Sequence, residues 1–322
     1  MVGNEAQREF LHRAWEKGNL SHAYLFVGAV GSGTREMTKE LLGWFKKGKI
    51  SLEDGGGAEW LLVKREIDLK SGKKHKDISI DGVRKIRDYL NHFSLVGGRQ
   101  IVVVDEAEFL SKGAANALLK TLEEPRAKEA LLILLTSDES LLLPTIKSRC
   151  QIIRFLPVAT KTIYQSLLKE GVDQKKALEI AGLSFNRPAK AENLLIDIAT
   201  YDFYKTEAER FLKSLKGTLK ERWRILESFF KDKEDHIEAR DNLINILDIW
   251  LSFWRDLFLL KLDNKEDLIK NISFLPDLRA QSGKRKIGEI REIIKKIEEA
   301  QVMLRQNIHP RLILENLILF YY

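Results

Sequence analysis

Ala23-Tyr24-Leu25-Phe26-Val27 runs directly into Gly28-Ala29-Val30-Gly31-Ser32-Gly33-Thr34-Arg35, and a helical pattern begins at Glu36. Five apolar residues ahead of a glycine-rich turn read as a buried strand, too short for a helix by itself. A strand that feeds a helix through such a turn is the arrangement in which backbone N–H groups face phosphate at a helix N-terminus. The catalytic form of the loop, G-x-x-x-x-G-K-[ST], places a lysine after the last glycine to reach the β/γ phosphates and then a hydroxyl to hold Mg²⁺. Here those two positions are Thr34 and Arg35. A neutral threonine does not replace an ammonium, and an arginine does not ligate a metal. The shape set by Gly28, Gly31 and Gly33 is therefore present without its chemistry, and a plain tight turn accounts for the glycines as well.

Outward from this stretch, further apolar runs occur at Trp60–Val63, 100–104 (QIVVV) and 130–135 (ALLILL). Helical spacing covers 81–93 and 111–124, the second stopped by Pro125. Alternation of such runs predicts a parallel α/β sheet over residues 1–157. The run Ile101-Val102-Val103-Val104 ends in Asp105-Glu106. In a nucleotide site the aspartate of such a pair holds the Mg²⁺ shell and the glutamate activates water. Two carboxylates after a strand are also what a solvated strand end looks like. It is the order of the two motifs within one α/β unit that indicates a nucleotide-fold ancestry.

Past Pro157 the β-branched runs give way to helical patterns, read as a small helical unit at 158–200 and a larger one at 201–322. The larger unit has amphipathic stretches at 221–230, 239–260 and 286–305. Trp223, Trp250, Phe253 and Trp254 fall at helical spacing, which reads as core or subunit packing rather than base stacking. The segment 70–76 (KSGKKHK) reads as a solvated basic loop.

At 322 residues, with 44% hydrophobic and 31% charged residues, the chain is expected to hold two or three domains. No run of about 20 apolar residues occurs, and the first residues lack the apolar core of a secretory signal. The expectation is a cytoplasmic protein with no membrane partner. A single cysteine, Cys150, excludes an intrachain disulfide and a multi-cysteine zinc site. The net charge of +7 fits contact with nucleic acid and fits a lysine-rich soluble protein equally well.

Several strings resemble one family, the AAA+ clamp-loader subunits of bacterial replication, gamma/tau and delta-prime. They are Ser21-His22-Ala23-Tyr24-Leu25-Phe26, Ile78-Ser79-Ile80-Asp81-Gly82-Val83-Arg84, Val104-Asp105-Glu106-Ala107-Glu108 and Ala114-Ala115-Asn116-Ala117-Leu118-Leu119-Lys120-Thr121-Leu122-Glu123-Glu124-Pro125. The last is the most specific, and it is also an amphipathic helix burying Leu118, Leu119 and Leu122. Leu143-Pro144-Thr145-Ile146-Lys147-Ser148-Arg149-Cys150-Gln151 is similar to the family segment that carries a Ser-Arg-Cys motif. Asn307-Ile308-His309-Pro310-Arg311-Leu312-Ile313-Leu314-Glu315-Asn316-Leu317 is similar to its closing collar helix.

The resemblance implies a RecA-like parallel sheet with helices at 1–157, a helical lid at 158–200 and a helical collar at 201–322. It gives Arg149 the role of an arginine finger reaching a neighbour's ATP site in trans, for which a planar, permanently charged guanidinium suits the spread charge of phosphoryl transfer. It puts sensor-like residues at Thr136, Ser137 and Arg187, although Arg187 before Pro188 is equally a helix flank. The departures favour the delta-prime type. Gamma/tau keeps the lysine and hydroxyl and carries four zinc-binding cysteines soon after the loop, whereas 43–64 here contains no cysteine. The implied protein is a stator that hydrolyses nothing, needs no zinc and binds ATP and Mg²⁺ weakly if at all. Its implied partners are gamma/tau and delta in a hetero-pentamer, the sliding clamp, and primer-template DNA through the assembly. The alternatives are a gamma/tau-type motor that recruits Arg35 or Lys39 as a displaced phosphate ligand, and a stand-alone nucleic-acid-binding module resting on charge alone.

Overall fold

The computed structural model describes residues 2–45, 52, 60–68, 74–91, 99–123, 130–230, 236–263, 268–305 and 308–320. Its chain gathers into two units, one of residues 1–159 with 187–190, the other of 160–186 with 191–322.

The first unit is built on a five-stranded sheet of β1 (Ala23–Val27), β2 (Trp60–Val63), β3 (Ile101–Val104), β4 (Leu131–Thr136) and β5 (Gln151–Arg154). The spatial order is β2-β3-β4-β1-β5 and every pairing is parallel. This is an AAA+ fold. β3 and β4 are buried along their whole length, which is why both read as continuous apolar runs rather than alternating ones. Period two still sorts their side chains. Leu25, Val102, Val104, Leu132 and Leu134 enter one core, together with residues of α3 (Ile80–Asn91) and α4 (Lys112–Glu123). Tyr24, Phe26, Ile101, Val103, Ile133 and Leu135 enter the other, against α1 (Glu5–Glu16) and α2 (Thr34–Phe45).

The expected strands are present within a residue or two. The expected helices match α3 and α4 up to the point where His92, Phe93, Glu124 and Pro125 lie outside the described residues. In α4, Leu118 and Leu122 are buried while Leu119 is only partly so. Neither α1 nor β5 is legible in the sequence pattern. β5 is an edge strand of four residues, Gln-Ile-Ile-Arg, of which the two polar ones are exposed and only Ile153 is buried. Such a segment offers neither an apolar run nor a turn cluster on both sides.

The second unit is helical among its described residues. It comprises α6 (Thr160–Lys169), α7 (Gln174–Leu183), α8 (Pro188–Ile196) beyond its first turn, α9 (Ile198–Lys216), α10 (Leu219–Ser228), α11 (His236–Asp263), α12 (Leu275–Ser282), α13 (Ile287–Arg305) and α14 (Pro310–Phe320). A short helix in the first unit, α5 (Pro144–Lys147), completes the numbering. Helix starts follow their caps: Asp173 accepts from the N–H groups of Lys175 and Lys176, and Thr218 with Glu221 forms a reciprocal capping box. Of the four aromatic residues at helical spacing, three are core and Trp223 is only half-buried. Trp250, Phe253 and Trp254 are buried around Phe211, with ring centroids 5.0–5.9 Å from it. No helix among the described residues is long and apolar enough to cross a membrane.

Candidate functional site

Parallel strands deliver their carboxyl ends to one edge of a sheet, and in open α/β sheets that edge is where ligands bind. Here it carries the glycine loop after β1, Asp105 and Glu106 after β3, and Thr136 and Ser137 at the end of β4. The Gly28 amide donates to the Thr136 carbonyl at 3.0 Å, tying the loop to the neighbouring strand. Gly31 (φ 84°) and Gly33 (φ 111°) occupy backbone conformations that L side chains rarely adopt. A Cβ on Gly28 would lie 2.3 Å from Ser32 Oγ and 3.0 Å from Phe155 Cβ, so close packing excludes any larger residue there. Ser32 is buried, and its own amide donates to the Ala29 carbonyl within the loop.

Residues 187–190 pack as part of this sheet unit. The Ala189 amide donates to the Gly31 carbonyl at 3.1 Å, and Lys190 is buried. Arg187, the sensor-like residue, lies in this same segment against Gly31. Of the other sensor-like pair, Thr136 is buried with its Oγ1 accepting from the Asp138 amide, and Ser137 Oγ donates to Glu108 at 2.6 Å.

The side chains expected to handle a nucleotide are engaged with one another. Arg35, at the position of the Mg²⁺-binding hydroxyl, places Nη2 2.6 Å from Oδ2 of the buried Asp105. Thr34 is buried at the start of α2 and its carbonyl accepts from Thr38 Oγ1. Glu106 accepts from Arg65 through both oxygens (Nε to Oε2 3.0 Å, Nη2 to Oε1 2.9 Å) and from Lys74 Nζ at 2.7 Å. Burial would push the Glu106 carboxyl up, but the hydrogen bonds and charges of Arg65 and Lys74 outweigh it and bring the pKa down to about 2. Lys39 is exposed on α2.

The carboxylate for the cation's shell already bears a guanidinium, the one for the attacking water bears two cations, and the ammonium of the phosphate loop is missing.

Arg65 and Lys74 carry no signal in the sequence. Arg65 follows β2 with no motif around it, and Lys74 belongs to the segment read as a solvated basic loop. An antiparallel bridge between Ile67 and Lys74 corrects that reading at Lys74, since it turns the side chain to Glu106; positions 70–73 lie outside the described residues.

Arg149 stands apart from this cluster in its bonding. Its Nη2 lies 2.5 Å from Glu123 Oε1 at the end of α4, and its Nη1 donates to the Thr145 carbonyl at 3.0 Å and to Ser148 Oγ at 3.4 Å. The side chain is 34% exposed. Cys150 beside it is packed against the sheet core, and burial pushes its thiol up to about 12, well outside nucleophilic range.

Residues 3–159 match the family described as DNA polymerase III, delta subunit. The chain is 27% identical to the delta-prime subunit of DNA polymerase III from Bacillus subtilis, over 97% of this chain and 94% of that protein. It is 34% identical to the delta-prime subunit from Pseudomonas aeruginosa over 40% of this chain and 42% of that protein. It is 30% identical to the tau subunit of Bacillus subtilis, over 51% of this chain and 30% of the other.

Proposed function

On its sequence this chain is a member of the DNA polymerase III delta-prime family, and from that premise we propose that it is a stator of a bacterial clamp loader. In this reading it assembles with gamma/tau and delta subunits in a hetero-pentamer that loads the sliding clamp onto primer-template DNA in the cytoplasm. The residues from 201 onward serve as its collar, and 158–200 as its lid. It hydrolyses no ATP itself and lends Arg149 to the ATP site of a neighbour.

The observation that carries the reading is the ion pair between Arg35 and Asp105, 2.6 Å long, at the place where a hydrolysing site keeps its cation. A chain that holds a guanidinium there yet presents a half-exposed arginine in the Ser-Arg-Cys string has the donor half of a shared site without the acceptor half. The Arg149–Glu123 pair does not oppose this, because exposed pairs are worth roughly 0–1 kcal/mol and release readily. A guanidinium fork matches the equatorial phosphoryl oxygens as a lysine does not.

Two measurements test it. The purified chain should show no ATP hydrolysis above background. Loader complexes rebuilt with Arg149→Ala should assemble normally and turn over ATP more slowly on clamp and DNA. Trans-acting fingers are worth roughly 10³ to 10⁵ at one site. Bulk turnover should fall less, since the other sites keep their own fingers. Arg149→Lys should be nearly as slow. An unchanged rate in a fully assembled Arg149→Ala complex removes the finger role, and hydrolysis by the isolated chain that disappears with Glu106→Gln removes the stator.

A further inference from the structure

Glu106 occupies an unusual position for a carboxylate. Its backbone is in the left-handed region (φ 58°), which residues other than glycine adopt only at an energetic cost. That conformation aims the side chain back at the segment following β2. There Arg65, itself 9% exposed, grips both carboxylate oxygens while its guanidinium stacks 3.8 Å above the Phe109 ring. Phe109 is in turn fixed to Glu106, its amide donating to the Glu106 carbonyl at 2.9 Å. Lys74 closes the cluster from an isolated antiparallel bridge with Ile67, beside which the His75 amide donates to the Glu66 carbonyl at 2.7 Å.

None of Arg65, Lys74 and Phe109 belongs to the glycine loop, and their bonds to Glu106 are made to its carboxylate and carbonyl, whereas Arg35 bonds Asp105. We propose that Arg65 and Lys74 convert Glu106 into a structural carboxylate, a second lock on the site that acts independently of the defective phosphate loop. The proposal rests on the reading of this chain as non-hydrolysing and adds its second cause. A general base must offer a lone pair to the water it activates and bind the proton it takes. The lone pairs that face the cluster are committed to two cations, and the lowered pKa leaves little proton affinity.

The test is a set of variants of the full chain, read by thermal melting and ATP turnover. A carboxylate kept only for catalysis is expected to cost stability, so removing it leaves Tm unchanged or raises it. If Glu106 is the lock, Glu106→Gln lowers Tm. Lys74→Met, at the half-exposed rim of the cluster, lowers it less and folds, and the two losses combine to less than their sum. Arg65→Lys does not restore the Tm of the native chain, because a point charge cannot hold both oxygens. The loop-repaired chain, Thr34→Lys with Arg35→Thr, remains without turnover.

An unchanged or raised Tm for Glu106→Gln overturns the proposal, as do strictly additive losses. If Glu106→Gln does not fold, Lys74→Met decides alone: a native Tm with an unaltered acid-unfolding profile overturns the lock, and a lowered Tm with a shallower profile supports it. Glu106-dependent turnover by the loop-repaired chain also overturns it while leaving the stator reading of the natural chain intact. Turnover by the natural chain sinks the stator reading instead, and the melting data still decide the lock.

Discussion

Single residues at this site are best understood as charges whose counter-charges have changed. Asp105 and Glu106 retain the identities of a hydrolysing site, but their partners are now protein cations at 2.6–3.0 Å. For Glu106 this makes stability depend on acid. Its carboxyl falls from an ordinary 4.5 to about 2 on folding, so the folded state favours the ionised form. The stabilisation is complete above about pH 4.5 and is lost as pH falls toward 2. A shift of that size corresponds to about 3 kcal/mol. Acid titration of unfolding should therefore show Glu106→Gln less stable than the native chain near neutrality, with the difference closing between about pH 4.5 and 2. A constant difference across that window would mean that Glu106 is not ionised by its partners.

At the scale of elements, the helical unit shows how one buried acid can organise a junction. Asp256 on α11 is fully buried and accepts from the amides of Lys270 and Asn271 and from Asn271 Nδ2, at 2.8–3.2 Å. These bonds fix the segment leading into α12. The same segment lies against α7, where a Cβ on Gly182 would come 2.4 Å from the Lys270 carbonyl oxygen. Asp256→Ala leaves the Lys270 and Asn271 donors without their acceptor, and each buried donor left unsatisfied costs roughly 1–3 kcal/mol. Chemical denaturation should show a loss of about 3 kcal/mol for Asp256→Ala, and a smaller one for Asp256→Asn, which keeps one acceptor oxygen. A loss under about 1 kcal/mol for the alanine variant would mean that water reaches these donors.

For the whole molecule, this junction makes a prediction about fragments. α7 packs against residues 268–274 and against α9 within one unit, so it touches helices that follow residue 200 as well as those before it. A fragment of 160–322 should melt as one cooperative helical unit, whereas 201–322, deprived of α7, should melt at lower temperature and expose apolar surface to a dye such as ANS. Equal melting of the two fragments would show that α7 contributes nothing to the stability of the later helices.

What the sequence determined by itself was the sheet and the departure of its glycine loop from the lysine-bearing pattern. Apolar runs of four to six residues, a glycine turn and a strand-terminal Asp-Glu pair are local signals, since period, β-branching and turn chemistry act between near neighbours in the chain. The missing lysine at Thr34 and the arginine at position 35 were equally plain. What only the tertiary structure decided was where the freed charges went. Arg35 meets Asp105 across 70 residues of chain, and Arg65 and Lys74 meet Glu106 across 41 and 32. The edge strand β5 was likewise invisible, because its pairing with β1 is supplied by a partner more than 120 residues away. Ion pairs and edge pairings of this kind leave no periodicity, and they exist only because the parallel sheet brings the ends of distant strands to one edge.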